Sequence, residues 1–339
     1  MPDMDQLSIF LPLASMAVTA LFALLVFDQW RHRRRSFQLV WGIGLLFYSV
    51  GAGSEFAGAL FGWTPALYKV WYLGGALLTA AFLGMGTIYL LRRSRFGYFA
   101  AVAIFAGGMI ALAAGRSYPG SQGTALGVFV AATAAAVAVV FATARHRTLA
   151  ADLTMILLVL ASLAAAVAVL AAPVPSPGYV LSATTHAPVG SGFPGSVRVL
   201  TPAFNVAGAL CLVFGAIFSA YVYMPKRKLL RAWKLPPVVA QLYGAAAVLV
   251  NFSSSLPAAG AALARGELNS RVPATILIAA GGFVPSITSG LNRFGITWAF
   301  FLGELLGALL ILAGFLVSED VLAAAGTRED RRSRLSRPA

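Results

Sequence analysis

An all-α, polytopic membrane bundle of about ten transmembrane helices is the fold class this sequence predicts, and three observations carry it. The chain of 339 residues is 59% hydrophobic and 11% charged, against about 25% charged in a soluble domain; its mean hydropathy is +0.83. Apolar runs of about 20 residues, enough to cross roughly 30 Å of hydrocarbon, recur along the whole length. The cations cluster between those runs, in "RHRRR" (31–35), "RRSR" (92–95), "RHR" (145–147), "KRKLLRAWK" (226–234) and "RRSRLSR" (331–337). Such spacing suits short cytoplasmic loops and attraction to anionic lipid headgroups, through Arg31, Arg33, Arg34, Arg35, Lys226, Arg227 and Lys228. It does not suit a nucleic-acid-binding face, and no nucleic acid partner is expected.

Taken in order, the predicted spans fall near 8–27, 37–60, 66–91, 97–115, 124–144, 152–172, 199–223, 237–260, 273–290 and 296–318. The first is preceded by "MPDMDQ" and followed by "DQWRHRRR", which predicts a retained helix with its N-terminus outside an inner (plasma) membrane. Alternating from that start leaves only Lys69, Arg116, Arg198, Arg265 and Arg271 in outer loops. Ten spans then put the arginines of the tail outside, whereas nine put them inside. The ninth run, "ATILIAAGGFVPSITSG", is short and contains Gly281, Gly282 and Pro285, so a re-entrant segment broken at 281–286 is the alternative. The organisation expected is a six-helix region (1–172), an extracytoplasmic Pro/Gly/Ser-rich loop (173–198), a second set of helices (199–320) and a basic disordered tail (321–339). Aromatic residues such as Trp30, Trp41, Trp63 and Trp71 fall near the ends of spans, as membrane-interface anchors do.

Chemistry-bearing motifs are few. No GxxxxGK[ST], HExxH or Cys pair is present, and His32, His146 and His186 fall in separate loops, so no metal or other cofactor is expected. The single Cys211 reads as a small buried side chain. Of 11 acidic residues, only Glu55, within "SVGAGSEFAGALFG", and Glu304, within "WAFFLGELLGALL", lie inside spans. A carboxylate at such depth costs about 2.5–3.5 kcal/mol, so it calls for a partner or a function. Lys69, across a short turn, is the expected partner of Glu55. Asn205, Gln241, Asn251 and the "SITSGLN" segment are the polar groups expected to face Glu304 and line a cavity. Gly51, Gly58 and Gly62, with Gly74, Gly75, Gly84 and Gly86, read as a helix-packing surface within the monomer.

The stretches "RRRSFQLVWGIGLLFYSVGAGSEFAG" and "LYKVWYLGGALLTAAFLGMGTIYLLRR" resemble the seven-helix membrane-sensor module of bacterial histidine kinases over roughly residues 31–93. The resemblance implies reception of a signal. The chain has no kinase, phosphoacceptor or output domain, so a separate signalling or membrane chain would be its partner. Three functions follow as expectations: a sensor-like or small-molecule-binding membrane protein, a transporter or channel component built on Glu304, or an accessory subunit. An enzyme is not expected.

Overall fold

A computed structural model describes residues 4–118, 120–174, 180–181, 188–189, 192–230, 237–293 and 298–317. The protein is an all-α polytopic bundle, and its helices fall on the apolar runs. They are α1 (Met4–Arg33), α2 (Ser36–Phe61), α3 (Pro65–Trp71), α4 (Thr79–Leu90), α5 (Gly97–Ala114), α6 (Gln122–Arg145), α7 (Arg147–Ala171), α8 (Gly195–Arg198), α9 (Leu200–Tyr223), α10 (Pro237–Ala264), α11 (Arg271–Arg293) and α12 (Trp298–Val317). The strands among the described residues are β1 (Val180–Leu181) and β2 (Pro188–Val189), a short antiparallel ladder. Nine helices among the described residues are long and apolar enough to cross a bilayer, and the apolar part of α11 is shorter, Arg271–Pro285. The protein is thus a multi-pass membrane protein.

Local chemistry explains where the early helices stop and start. Gly62, at φ 86°, ends α2 in a conformation that a Cβ would strain. Thr64 then accepts a hydrogen bond from the Leu67 amide at 3.2 Å, and Pro65 occupies the first helical turn of α3. Between α3 and α4 the backbone widens into a π-helical turn, Tyr72–Leu78. The Thr79 hydroxyl bonds the Gly74 carbonyl at 2.9 Å and helps satisfy the widened turn. The alternative, a break at 281–286, is not found: α11 runs continuously through Gly281, Gly282 and Pro285. Helical hydrogen bonding on either side of one proline is sufficient to carry the helix past it.

The chain divides into two compact units, residues 1–215 with 283–308, and residues 216–282 with 309–339. In the first, glycines bring backbones together. A Cβ on Gly51 would lie 2.8 Å from the Gly75 Cα, and one on Gly44 would lie 3.0 Å from the Leu83 amide nitrogen. Gly58 makes room for Trp63, and Gly86 for Trp41, whose indole N–H donates to the Leu83 carbonyl at 3.0 Å. Of the expected glycine surface, Gly51, Gly58, Gly74, Gly75, Gly84 and Gly86 pack within the monomer, whereas Gly62 meets nothing and serves to end α2.

The loop after α7 contributes to the same unit. Phe193 is buried against Tyr68 and Tyr72, with ring centroids 5.1 and 4.7 Å away. The Arg198 guanidinium lies over Tyr118 at 4.4 Å. Residues 175–179, 182–187 and 190–191 of that loop and the tail at 321–339 lie outside the described residues.

In the second unit, Ala220 and Met224 from the end of α9 pack against Ala259 of α10 and Val272 of α11. Gly314 of α12 lies against Ala274 and Ile278 of α11.

Candidate functional site

Two features of the first unit stand out, a pair of carboxyl groups, Glu55 buried and Glu304 half-buried, and an apolar slot. Glu55 is on α2 and 3% exposed. Its Oε1 accepts a hydrogen bond from the Trp71 indole N–H at 2.7 Å, just before the π-helical turn. The group facing it from α12 is the Glu304 carboxyl, close enough to interact with it. An ionised carboxylate only accepts, so two such groups bond each other only where one carries a proton. Oε2 of each residue is sealed from solvent and has no hydrogen-bond partner.

The pair also fixes the direction of α12. The Tyr48 hydroxyl donates to the backbone carbonyl of Glu304 at 2.8 Å. Side chains lean toward the N-terminus of their own helix, whereas carbonyls point toward the C-terminus. The Glu304 side chain meets Glu55, and its carbonyl meets Tyr48, two turns or about 10 Å earlier on α2. The first part of α12 therefore runs antiparallel to α2.

The expected Glu55–Lys69 ion pair does not form. The Lys69 ammonium donates to the Leu170 carbonyl at 2.7 Å, capping the last turn of α7. The reason is geometric: Trp71 lies nearer the start of the π-helical turn and reaches back to Glu55, while Lys69 projects from α3 toward a different helix.

Asn251 is not a free cavity group either. Its Oδ1 accepts from the Leu229 and Leu230 amides at 2.8 and 2.9 Å, and its Nδ2 donates to the Leu230 carbonyl at 2.9 Å. Asn205 is half-buried on α9, and the side chain of Gln241 lies outside the described residues. In the "SITSGLN" segment, Thr288 is turned back on its own helix, bonding the Val284 and Pro285 carbonyls. The cations expected at lipid headgroups are exposed at Arg31, Arg34, Arg35, Lys226, Arg227 and Lys228, and Arg33 is half-buried.

The second feature lies among α4, α5, α6, α7 and α9. It is a slot of about 760 Å³ whose walls are apolar and rich in alanine. On α7 the lining residues are Thr154, Leu157, Leu158, Ala161, Ala164, Ala165, Ala168 and Ala171, one helix face about 26 Å long. On α6 they are Thr124, Val128, Ala131, Ala132 and Ala135, and on α9 Leu200, Ala203, Phe204, Ala207, Gly208 and Cys211. Polar groups on the walls are few: Thr124, Thr154 and Ser196. Ala131, Ala161 and Ala164 are exposed, so the slot has an opening along its length.

Sequence reasoning missed the slot and the roles of Tyr48 and Trp71. The alanines at helical spacing on 124–135, 161–171 and 203–211 were the available signal for the slot. Nothing in the sequence marks Tyr48 or Trp71 as a carboxyl partner.

Among the described residues, no group of three or more His, Cys, Asp or Glu side chains is placed to hold a metal ion. Fold and site together define a multi-pass membrane protein with two carboxyl groups within its helices and an apolar slot between helices. No family model, curated protein or solved structure matches the chain.

Proposed function

We propose that this is a receptor-like membrane protein that binds a small, elongated apolar molecule in the slot among α4, α5, α6, α7 and α9. The observation that carries the reading is the slot itself. Its volume lies within the roughly 300–1,000 Å³ of small-molecule sites, and its walls offer methyl groups and few hydrogen bonds. An isoprenoid or acyl-chain molecule of the bilayer fits that chemistry. The resemblance of residues 31–93 to a sensor module supports signal reception, with any output delivered by a separate chain. Filling the slot tests it. Protein purified in mild detergent should carry a co-purifying apolar molecule, detected by mass spectrometry after solvent extraction, and Ala168→Phe with Ala207→Phe should lose it. Equal recovery from the filled variant would sink the proposal.

The orientation is part of the same reading: an inner (plasma) membrane, with the N-terminus outside. The cations at 31–35 then place the start of α2 inside, and the antiparallel α12 returns the chain to that side. The arginines of the tail would therefore be cytoplasmic, in accord with the positive-inside rule. That requires an odd number of crossings, which favours nine over ten.

A second reading, a transporter component, is favoured by the carboxyl pair alone. Two glutamates facing each other at depth are a feature of proton pathways. A pH-sensitive dye trapped in proteoliposomes reads this. Proton movement above that of empty vesicles, abolished by Glu304→Gln, would support transport, and none would exclude it.

A further inference from the structure

If the number of crossings is odd, as proposed above, one long helix does not cross, and the contacts of the second unit point to which. The last turn of α9 meets the start of α11, where the Arg271 guanidinium donates to the Tyr223 hydroxyl at 2.6 Å and lies over its ring at 4.9 Å. The end of α10 meets the same place, through Ala259 against Ala220, Met224 and Val272. Gly314, near the end of α12, lies against Ala274, near the start of α11. The end of α9, the end of α10, the start of α11 and the end of α12 thus share one side. The chain between Met224 and Ala259 leaves that side and comes back to it.

The segment leading into α10 is held in place by hydrogen bonds. The Arg227 amide donates to the Ser255 hydroxyl at 2.8 Å, and the Ser254 hydroxyl donates to the Arg227 carbonyl at 2.8 Å. Asn251 then holds Leu229 and Leu230 from both sides, as described above. The backbone of 227–230 therefore runs antiparallel beside residues 251–255 of α10. Its side chains Lys226, Arg227 and Lys228 remain exposed. The polar stripe of α10, Asn251 and Ser255, is buried against this segment, while Val250, Leu256 and Leu263 on other faces are 41%, 42% and 57% exposed. An exposed apolar helix with a clamped row of cations beside it is the composition of an element that lies in the membrane interface.

We propose that α10 and the segment 226–230 form a monotopic element on the cytoplasmic side, whose Lys226, Arg227 and Lys228 hold anionic phospholipid headgroups while α10 rests in the acyl boundary. Its composition would let Ala246–Ala264 cross a bilayer, but crossing would carry Ala259 away from Met224 and Val272. The occupant is set by charge: exposed cations with no acidic neighbour in 224–230 suit a phosphate-bearing surface.

Two experiments on the full-length protein test this. In nanodiscs of mixed phosphatidylglycerol and phosphatidylcholine, native mass spectrometry should find phosphatidylglycerol retained preferentially. Changing Lys226, Arg227 and Lys228 to Gln together should weaken that preference by about fivefold per cation removed; an unchanged preference overturns the lipid assignment. For the path of the chain, Glu267→Cys in a Cys211→Ala background should react with a membrane-impermeant maleimide only after the cells are permeabilised. Gln122→Cys should react in intact cells and verifies the reagent. Reaction of Glu267→Cys in intact cells means that α10 crosses, and the element does not exist as proposed.

Discussion

The α2 interface with the π-helical turn and α4, and the walls of the slot between α6, α7 and α9, are both built from small residues, yet one is closed and the other open. At the first, glycine removes the side chain and the backbones meet, with Gly51 facing Gly75, and Trp41 and Trp63 folding over Gly86 and Gly58. At the second, the surfaces of α6, α7 and α9 that line the slot carry many alanine methyls, and about 760 Å³ stays empty of side chains. Lipid chains are as apolar as leucine, so only close van der Waals fit or hydrogen bonding drives two membrane helices together. Glycine paired with a bulky aromatic achieves that fit at the first interface, whereas at the second the lining side chains do not meet and room is left for a guest.

The largest expected effect comes from breaking the closed side. Gly51→Leu places a side chain where the Gly75 backbone stands, and backbone on both helices cannot give. Overpacking there should cost about 3 kcal/mol or more, read as loss of monodisperse protein by fluorescence-detected size exclusion. The same substitution in the slot, Ala164→Leu, should leave the yield unchanged. If Gly51→Leu folds normally, the closed interface is not what holds these helices.

The carboxyl pair comes next. Glu304→Ala leaves Glu55 buried without its α12 partner and should cost about 1–3 kcal/mol, seen as a lower unfolding temperature in detergent. Glu304→Gln supplies its own amide hydrogens to Glu55 and should recover most of the loss. Equal losses in both variants would mean that the pair contributes bulk instead of a hydrogen bond. Lys69→Ala should have the smallest effect, under about 1 kcal/mol, because it removes one exposed contact at the end of α7. A loss as large as that of Glu304→Ala would require Lys69 to act on the core.

Much of the fold was legible before any coordinates. Each predicted span coincides with a helix to within a few residues, because the hydrocarbon thickness imposes its length requirement on every segment separately. The glycines were legible for a similar reason, as small residues in spans mark close approach. Glu55 and Glu304 were legible as anomalies, since an ionisable group at depth needs an explanation whatever surrounds it. Their partners were not. Lys69 is near Glu55 in sequence and was the natural choice, but Trp71 and Glu304 hold that position. Asn251 was legible as a polar residue in a span, and only the structure shows that it clamps residues 229–230.

By itself, then, the sequence determined that this is a multi-pass helical membrane protein, which segments are helical, and which two carboxyl groups stand out. These are local properties, read from runs of about 20 residues against the thickness of a bilayer. Tertiary structure alone decided that Glu55 meets Glu304, that Tyr48 reaches an α12 carbonyl 256 residues away, and that alanine faces on three helices enclose a slot. Each depends on which helices become neighbours and in what rotation. In a bilayer, neighbours are chosen by the fit of whole surfaces, which a single segment does not encode.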